Sequence, residues 1–108
     1  MTGDLQIEPR ELKERLGRGE RFLVVDVREP WEHQICHIEG ARLIPLGSLR
    51  GELALLEEAE DVVLYCHHGI RSLDAAAWLR GQGVEGARSL AGGIERWATE
   101  IDSSVPRY

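Results

Sequence analysis

Cysteine is scarce in this chain, lysine scarcer still, and long apolar runs are missing; each shortage narrows what the protein can be. With 2 cysteines in 108 residues, no framework of bridges can hold the fold together as it does in small secreted domains. Stability must come from a hydrophobic core, and the length suffices for one domain but not two. No stretch approaches the roughly 20 apolar residues that cross a bilayer. Met1-Thr2-Gly3-Asp4 opens into polar sequence without a basic, apolar-centred leader. These absences lead us to expect a cytoplasmic protein with no membrane partner and with Cys66 as a free thiol.

A basic cluster is also missing. The formal charge is −6, which disfavours nucleic acid as a partner because gripping a phosphate backbone takes a clustered basic face. An anion must therefore be held by local geometry. The 12 arginines beside the single Lys13 read as a genomic or growth-temperature habit without functional content. No linker, internal repeat or low-complexity tract divides the chain. We expect residues 1–108 to form one domain, irregular from about residue 101 to 108.

What is present alternates between two periodicities. Ile7 reads as a strand end, and Pro9 suits the first turn of a helix that carries Leu12 and Leu16 and stops at Gly17 and Gly19. Phe22-Leu23-Val24-Val25-Asp26-Val27 is β-rich without alternation, as in a central strand covered on both faces. Residues 31–41 read as a polar connection to a short strand, Leu43-Ile44-Pro45. Ser48 can cap a helix bearing Leu49, Leu53 and Leu56. Val62-Val63-Leu64-Tyr65 is a second doubly covered strand, and Ala75, Ala76, Trp78 and Leu79 share one helical face after it. A strand near Arg88-Ser89-Leu90 and a helix with Ile94, Trp97 and Ala98 finish the pattern. The expected fold is α/β: three layers, a mostly parallel central sheet and helices on both faces.

In such sheets ligands bind at the carboxyl ends of the strands. That rule brings Cys66-His67-His68-Gly69-Ile70-Arg71-Ser72 to the same mouth as Asp26-Val27-Arg28-Glu29. The cysteine loop sits between a strand and a helix start, where N–H groups lack intrahelical partners and the dipole is positive, so it can cradle an anion. The same field favours a thiolate, the attacking form of cysteine. An inert buried thiol is the plain alternative, but Cys66 stands at a strand's end ahead of Gly69 and Arg71, where the backbone must turn. Arg71 can point back over the loop and neutralise a bound oxyanion. His67 and His68 either tune the pocket or are solvated loop side chains, and their charge is open.

Three ordered motifs resemble the rhodanese family of sulfurtransferases. They are Val25-Asp26-Val27-Arg28-Glu29-Pro30-Trp31-Glu32, followed by His37-Ile38-Glu39-Gly40-Ala41 and Ile44-Pro45; the Cys66 loop itself; and Leu90-Ala91-Gly92-Gly93-Ile94-Glu95-Arg96-Trp97. The double histidine and Val105-Pro106-Arg107-Tyr108 are similar to rhodanese domains fused to ubiquitin-like-activating adenylyltransferases. The resemblance implies a rhodanese-like fold, a persulfide formed on Cys66 from a small anionic donor such as thiosulfate, and a thiophilic acceptor, either a sulfur carrier or a biosynthetic enzyme. It implies further that residues 67–71 cradle the anion, with Gly69, Ile70 and Ser72 about the substrate, and that Asp26 and Arg28 order the mouth.

Loop length separates the chemistries. Related dual-specificity phosphatases and arsenate reductases carry one more residue between cysteine and arginine, and a smaller ring of N–H groups fits a persulfide sulfur better than a tetrahedral phosphate. A docking module without catalysis is the other alternative, against which Cys66 itself argues. No cofactor is implied. A metal held by Cys66, His67 and His68 is disfavoured, because adjacent residues rarely converge tetrahedrally. Cys36 departs from the family, which has glycine there; the crossover is expected to carry it away from Cys66, leaving no disulfide. Trp31, Trp78 and Trp97 are expected to be core or boundary aromatics.

Overall fold

Val62–Tyr65 (β4) is apolar at every position because it is buried on both faces. Its side chains alternate between two cores: Val62 and Leu64 join one cluster, Val63 and Tyr65 the other. Beside it runs Leu23–Asp26 (β2), paired in parallel with Asp26 opposite Tyr65. Ala87–Leu90 (β5) flanks β4 on its other side; Gln6–Ile7 (β1) and Arg42–Leu43 (β3) form the edges. The resulting sheet has five parallel strands in the order β1-β5-β4-β2-β3. The chain is described from residue 5 to 108 in this computed structural model; Met1–Asp4, on which the reading of a missing leader rests, lies outside the described residues.

Helices complete the layers. Pro9–Gly17 (α1) and Gly93–Glu100 (α5) supply Leu12, Ile94, Trp97 and Ala98 to the face that takes Val24 and Tyr65. Leu53–Glu58 (α3) and Ile70–Gly81 (α4) supply Leu56, Ala75, Ala76 and Leu79 to the face that takes Val25 and Leu64. The three-layer α/β expectation holds, and among the described residues no helix is long and apolar enough to cross a membrane.

Two local readings need correction. The polar connection is partly helical: Pro30–Ile35 (α2) begins with Glu29 and Glu32 in a reciprocal capping box and with proline in its first turn, both features that start helices. Ser48 caps nothing, because Leu46–Glu52 is a 3-10 helix that runs directly into α3. Residues 101–108 lie outside the helices and strands.

From β2 the chain passes outward to β3, and from β4 it passes the other way to β5. The two connections diverge at adjacent strands, which opens a crevice at their carboxyl ends. Val27 N–H donates to the Tyr65 carbonyl at 3.1 Å, so the strands stay paired up to the rim of that crevice. Asp26 and Arg28 thereby reach the same rim of the sheet as the Cys66 loop.

Candidate active site

Cys66 lies at the floor of the crevice with only 1% of its surface exposed. Its sulfur meets the start of α4: the N–H of Gly69 donates to Sγ at 3.1 Å, and that of Ser72 at 3.4 Å. Ser72 Oγ stands 3.4 Å from the sulfur and 2.7 Å from Ser89 Oγ, so the polar groups beneath the thiol satisfy one another. Two backbone N–H donors at the start of α4 thus converge on the sulfur. Above it opens a cavity of about 330 Å³ lined by Cys66, His67, His68, Ile70 and Arg71. Of the expected substrate neighbours, His67, His68 and Ile70 line this cavity; Gly69 and Ser72 reach the sulfur from below through their N–H groups.

Glycine makes the tight loop possible at two places. Gly69 has φ of +100°, which L side chains rarely adopt, and turns the chain into α4. Gly93, at φ +63°, lets α5 press against the loop; a Cβ there would stand 2.5 Å from the carbonyl oxygens of both Cys66 and His67. Those same carbonyls accept hydrogen bonds from Ile94 and Glu95, at 2.9 and 3.1 Å. The third motif therefore serves as a clamp on the cysteine loop.

Asp26 and Arg28 form a fully buried ion pair at 2.7 Å, with the Asp26 carboxylate also accepting from Arg28 Nε and the Arg28 N–H. Tyr65 donates its hydroxyl hydrogen to Asp26 at 3.1 Å, and His33 Nδ1 lies 2.8 Å from the same oxygen. Burial alone would raise the Asp26 carboxyl, but Arg28 and His33 outweigh it and hold its pKa below the usual range. Arg28 is also buried against its charge, yet Asp26 and Tyr108 keep its pKa above the ordinary value. The pair touches neither the cysteine nor the cavity directly: Arg28 spends its remaining N–H groups on the Cys36 carbonyl at 2.6 Å and the Tyr108 hydroxyl at 2.7 Å.

Three residues of the site carried no assigned role in the sequence reading. Glu32 is one: its two oxygens accept Arg71 Nη1 and Nη2, each at 3.2 Å. Arg71 is thus held by a carboxylate from α2. Burial would raise the Glu32 carboxyl, but Arg71, the Glu29 N–H and the Tyr108 hydroxyl lower it to about 2. Glu29-Pro30-Trp31-Glu32 carried the signal, as a helix start that buries its third-position carboxylate.

Tyr108 is the second, and no periodicity could have found it, because it reaches the mouth from an irregular segment. Trp31 is the third; expected at a core boundary, it is 59% exposed and meets Tyr108 edge-on at 6.3 Å between ring centres. Trp97 is buried as expected. His67 is part-exposed and stacked between His68 and Tyr108, with both ring separations at 4.1 Å. Burial, then the neighbouring His68, lowers its pKa.

Cys36 and Cys66 are unbridged and belong to the cores on opposite faces of the sheet. Among the described residues no group of three metal-ligating side chains converges.

A buried cysteine sulfur that accepts two backbone N–H groups, at the switch point of a five-stranded parallel sheet, coincides with a family match: the model of the rhodanese-like domain matches residues 8–100. The chain belongs to the rhodanese-like family. It is similar to the probable adenylyltransferase/sulfurtransferase MoeZ of Mycobacterium tuberculosis, with 41% identity over 104 residues. That alignment takes in 94% of the chain but only 26% of MoeZ, so this chain spans about a quarter of that relative's length. The thiosulfate sulfurtransferase GlpE of Ectopseudomonas mendocina is nearer in size: 34% identity over 100 residues, covering 93% of this chain and 90% of GlpE. Among solved structures, the human single-domain sulfurtransferase TSTD1 superposes with a TM-score of 0.79 at 32% identity, covering 89% of this chain and 96% of that one. Sulfur transfer is the activity that names these rhodanese-like relatives.

Proposed function

We propose that this chain is a thiosulfate-type sulfurtransferase that carries sulfur as a persulfide on Cys66. One observation supports this above the others: the Cys66 sulfur accepts N–H groups from Gly69 and Ser72 at the floor of an open cavity. In the first step the Cys66 thiolate attacks the outer sulfur of thiosulfate. The donor's S–S bond breaks, its electron pair leaves with sulfite, and a new S–S bond joins that sulfur to Cys66. The loop N–H groups and Arg71 stabilise the anionic persulfide and the departing oxyanion. In the second step an acceptor nucleophile attacks the outer sulfur, and the electron pair of the Cys66–sulfur bond returns to Cys66 as thiolate.

Residues 67–71 line the path of the donor; Asp26 and Arg28 support the mouth from beneath. The physiological acceptor, on this reading, is a sulfur carrier or a biosynthetic enzyme in a reducing cytoplasm, which suits two unbridged thiols. Exposed Trp31 and Ile70, the latter 75% exposed at the cavity's edge, lend some support to a docking module. A docking role alone leaves the ring of donors about Cys66 without a purpose. Steady-state rates with thiosulfate and a small thiophilic acceptor test the proposal: parallel double-reciprocal lines are expected from a covalent relay, and intersecting lines exclude it.

A further inference from the structure

The Tyr108 phenol has no part in the steps above, yet it bonds to or stacks on three residues of the mouth, Arg28, Glu32 and His67. Its oxygen accepts from Arg28 Nη1 and donates to Glu32 Oε2, both at 2.7 Å. Its ring lies nearly parallel to His67, at 6°. The phenol thus stands between two ion pairs: Asp26–Arg28, wholly buried, and Glu32–Arg71, which opens on the cavity.

We propose that Tyr108 is a positioning residue of the sulfur-transfer site, holding the Glu32 carboxylate so that Glu32 in turn presents Arg71 to the cavity above Cys66. The inference rests on the sulfur-transfer reading for its purpose but not for its geometry.

Arg28 is a buried cation whose Nη1 has the phenol as its partner, and Glu32 is a nearly buried anion on the phenol's other side. Opposite charges a few ångströms apart in a dry site attract strongly. The neutral hydroxyl satisfies both and keeps them apart, leaving Glu32 with two oxygens for Arg71. Burial and then Glu32 push the Tyr108 hydroxyl up to about 12, so it stays a neutral donor across the working range. Without the hydroxyl, Glu32 turns toward Arg28, and Arg71 loses the partner that fixes it.

Alkylation of Cys66 reads this link without any sulfur donor. Iodoacetate is an anion and iodoacetamide is neutral, so their rate ratio at Cys66, measured in a Cys36→Ser background, reports the cation presented to the sulfur. Tyr108→Phe keeps the ring on His67 and removes only the hydroxyl. The ratio is expected to fall roughly three- to tenfold, the scale of a disturbed charge-assisted hydrogen bond. Arg71→Ala is expected to lower it as well, and Tyr108→Phe added to Arg71→Ala to change it no further. A ratio unchanged or raised in Tyr108→Phe, or a further fall in the double variant, overturns the proposal.

With thiosulfate, Tyr108→Phe should lower kcat/KM in fully folded protein, because Arg71 is less well held against the departing oxyanion. A merely structural role would instead lower kcat in step with the folded fraction. If wild-type protein takes no sulfur from thiosulfate, the donor assignment fails while the alkylation ratios still decide the role of Tyr108.

Discussion

Glu32 accepts a hydrogen bond from each terminal nitrogen of Arg71, at 3.2 Å in both cases, across 39 residues of sequence. A helix that follows β2 thus fixes a side chain at the start of the helix that follows β4. The arginine is not a loose cation waiting for an anion; it is aimed, and its charge is partly spent. On the proposed function, a small dianion such as thiosulfate would meet an oriented donor at little cost in ordering it.

Arg71→Ala should slow thiosulfate turnover roughly ten- to a hundredfold, the range for loss of one preorganised charged donor. Its guanidinium is partly exposed and outside both cores, so the melting temperature should hardly move. Full activity in this variant would remove Arg71 from the oxyanion role.

Breaking the buried pair acts on stability. Arg28→Met strands the Asp26 carboxylate with no exposed surface and is expected to cost about 3–5 kcal/mol. Urea midpoints check this; a loss below about 1 kcal/mol would mean that the pair is not an organising element of the mouth.

Gly93→Ala tests the clamp. A Cβ at φ +63° and 2.5 Å from two loop carbonyls must displace either α5 or the cysteine loop, at about 1–3 kcal/mol. Because those carbonyls belong to Cys66 and His67, activity should fall by more than the folded fraction does. Wild-type activity in the folded variant would show that the loop's exact seat is unimportant.

Acid should loosen the mouth. The Glu32 carboxyl lies at about 2 in the fold, below its ordinary 4.5, so between these values the unfolded chain binds more protons. Its stabilisation is complete above the unfolded value, shrinks as pH falls through the window and is lost near pH 2. Asp26, also lowered, acts in the same sense. The stability gap between wild type and Glu32→Gln should therefore be widest near about pH 7 and close towards about pH 2. A gap that widens on acidification contradicts the assignment.

The sheet was legible because both central strands carry unbroken apolar runs, from Leu23 to Val25 and from Val62 to Tyr65, and each is followed by a polar turn. The cysteine loop was legible because Gly69 and Arg71 follow Cys66 at close range. Helix α2 was missed although Glu29, Pro30 and Glu32 announce its start, because too few apolar residues follow to set a helical period. The partnership of Glu32 with Arg71 depends on the crevice between two strands and has no local trace. Tyr108 is harder still: it joins Arg28, 80 positions away, from a segment with neither period nor cap. Long-range polar bonds are set by topology, and composition near either partner does not reveal them. Trp31 was misjudged for a related reason, since aromatic bulk predicts burial unless a surface site uses it.

The central claim is that Cys66 carries the transferred sulfur. Intact-mass and peptide mass spectrometry of protein exposed to thiosulfate, with Cys66→Ser and Cys36→Ser alongside, tests it most directly. One added sulfur atom on the Cys66 peptide in wild type and Cys36→Ser, and none in Cys66→Ser, is the predicted result. A sulfur adduct that survives in Cys66→Ser would contradict the account.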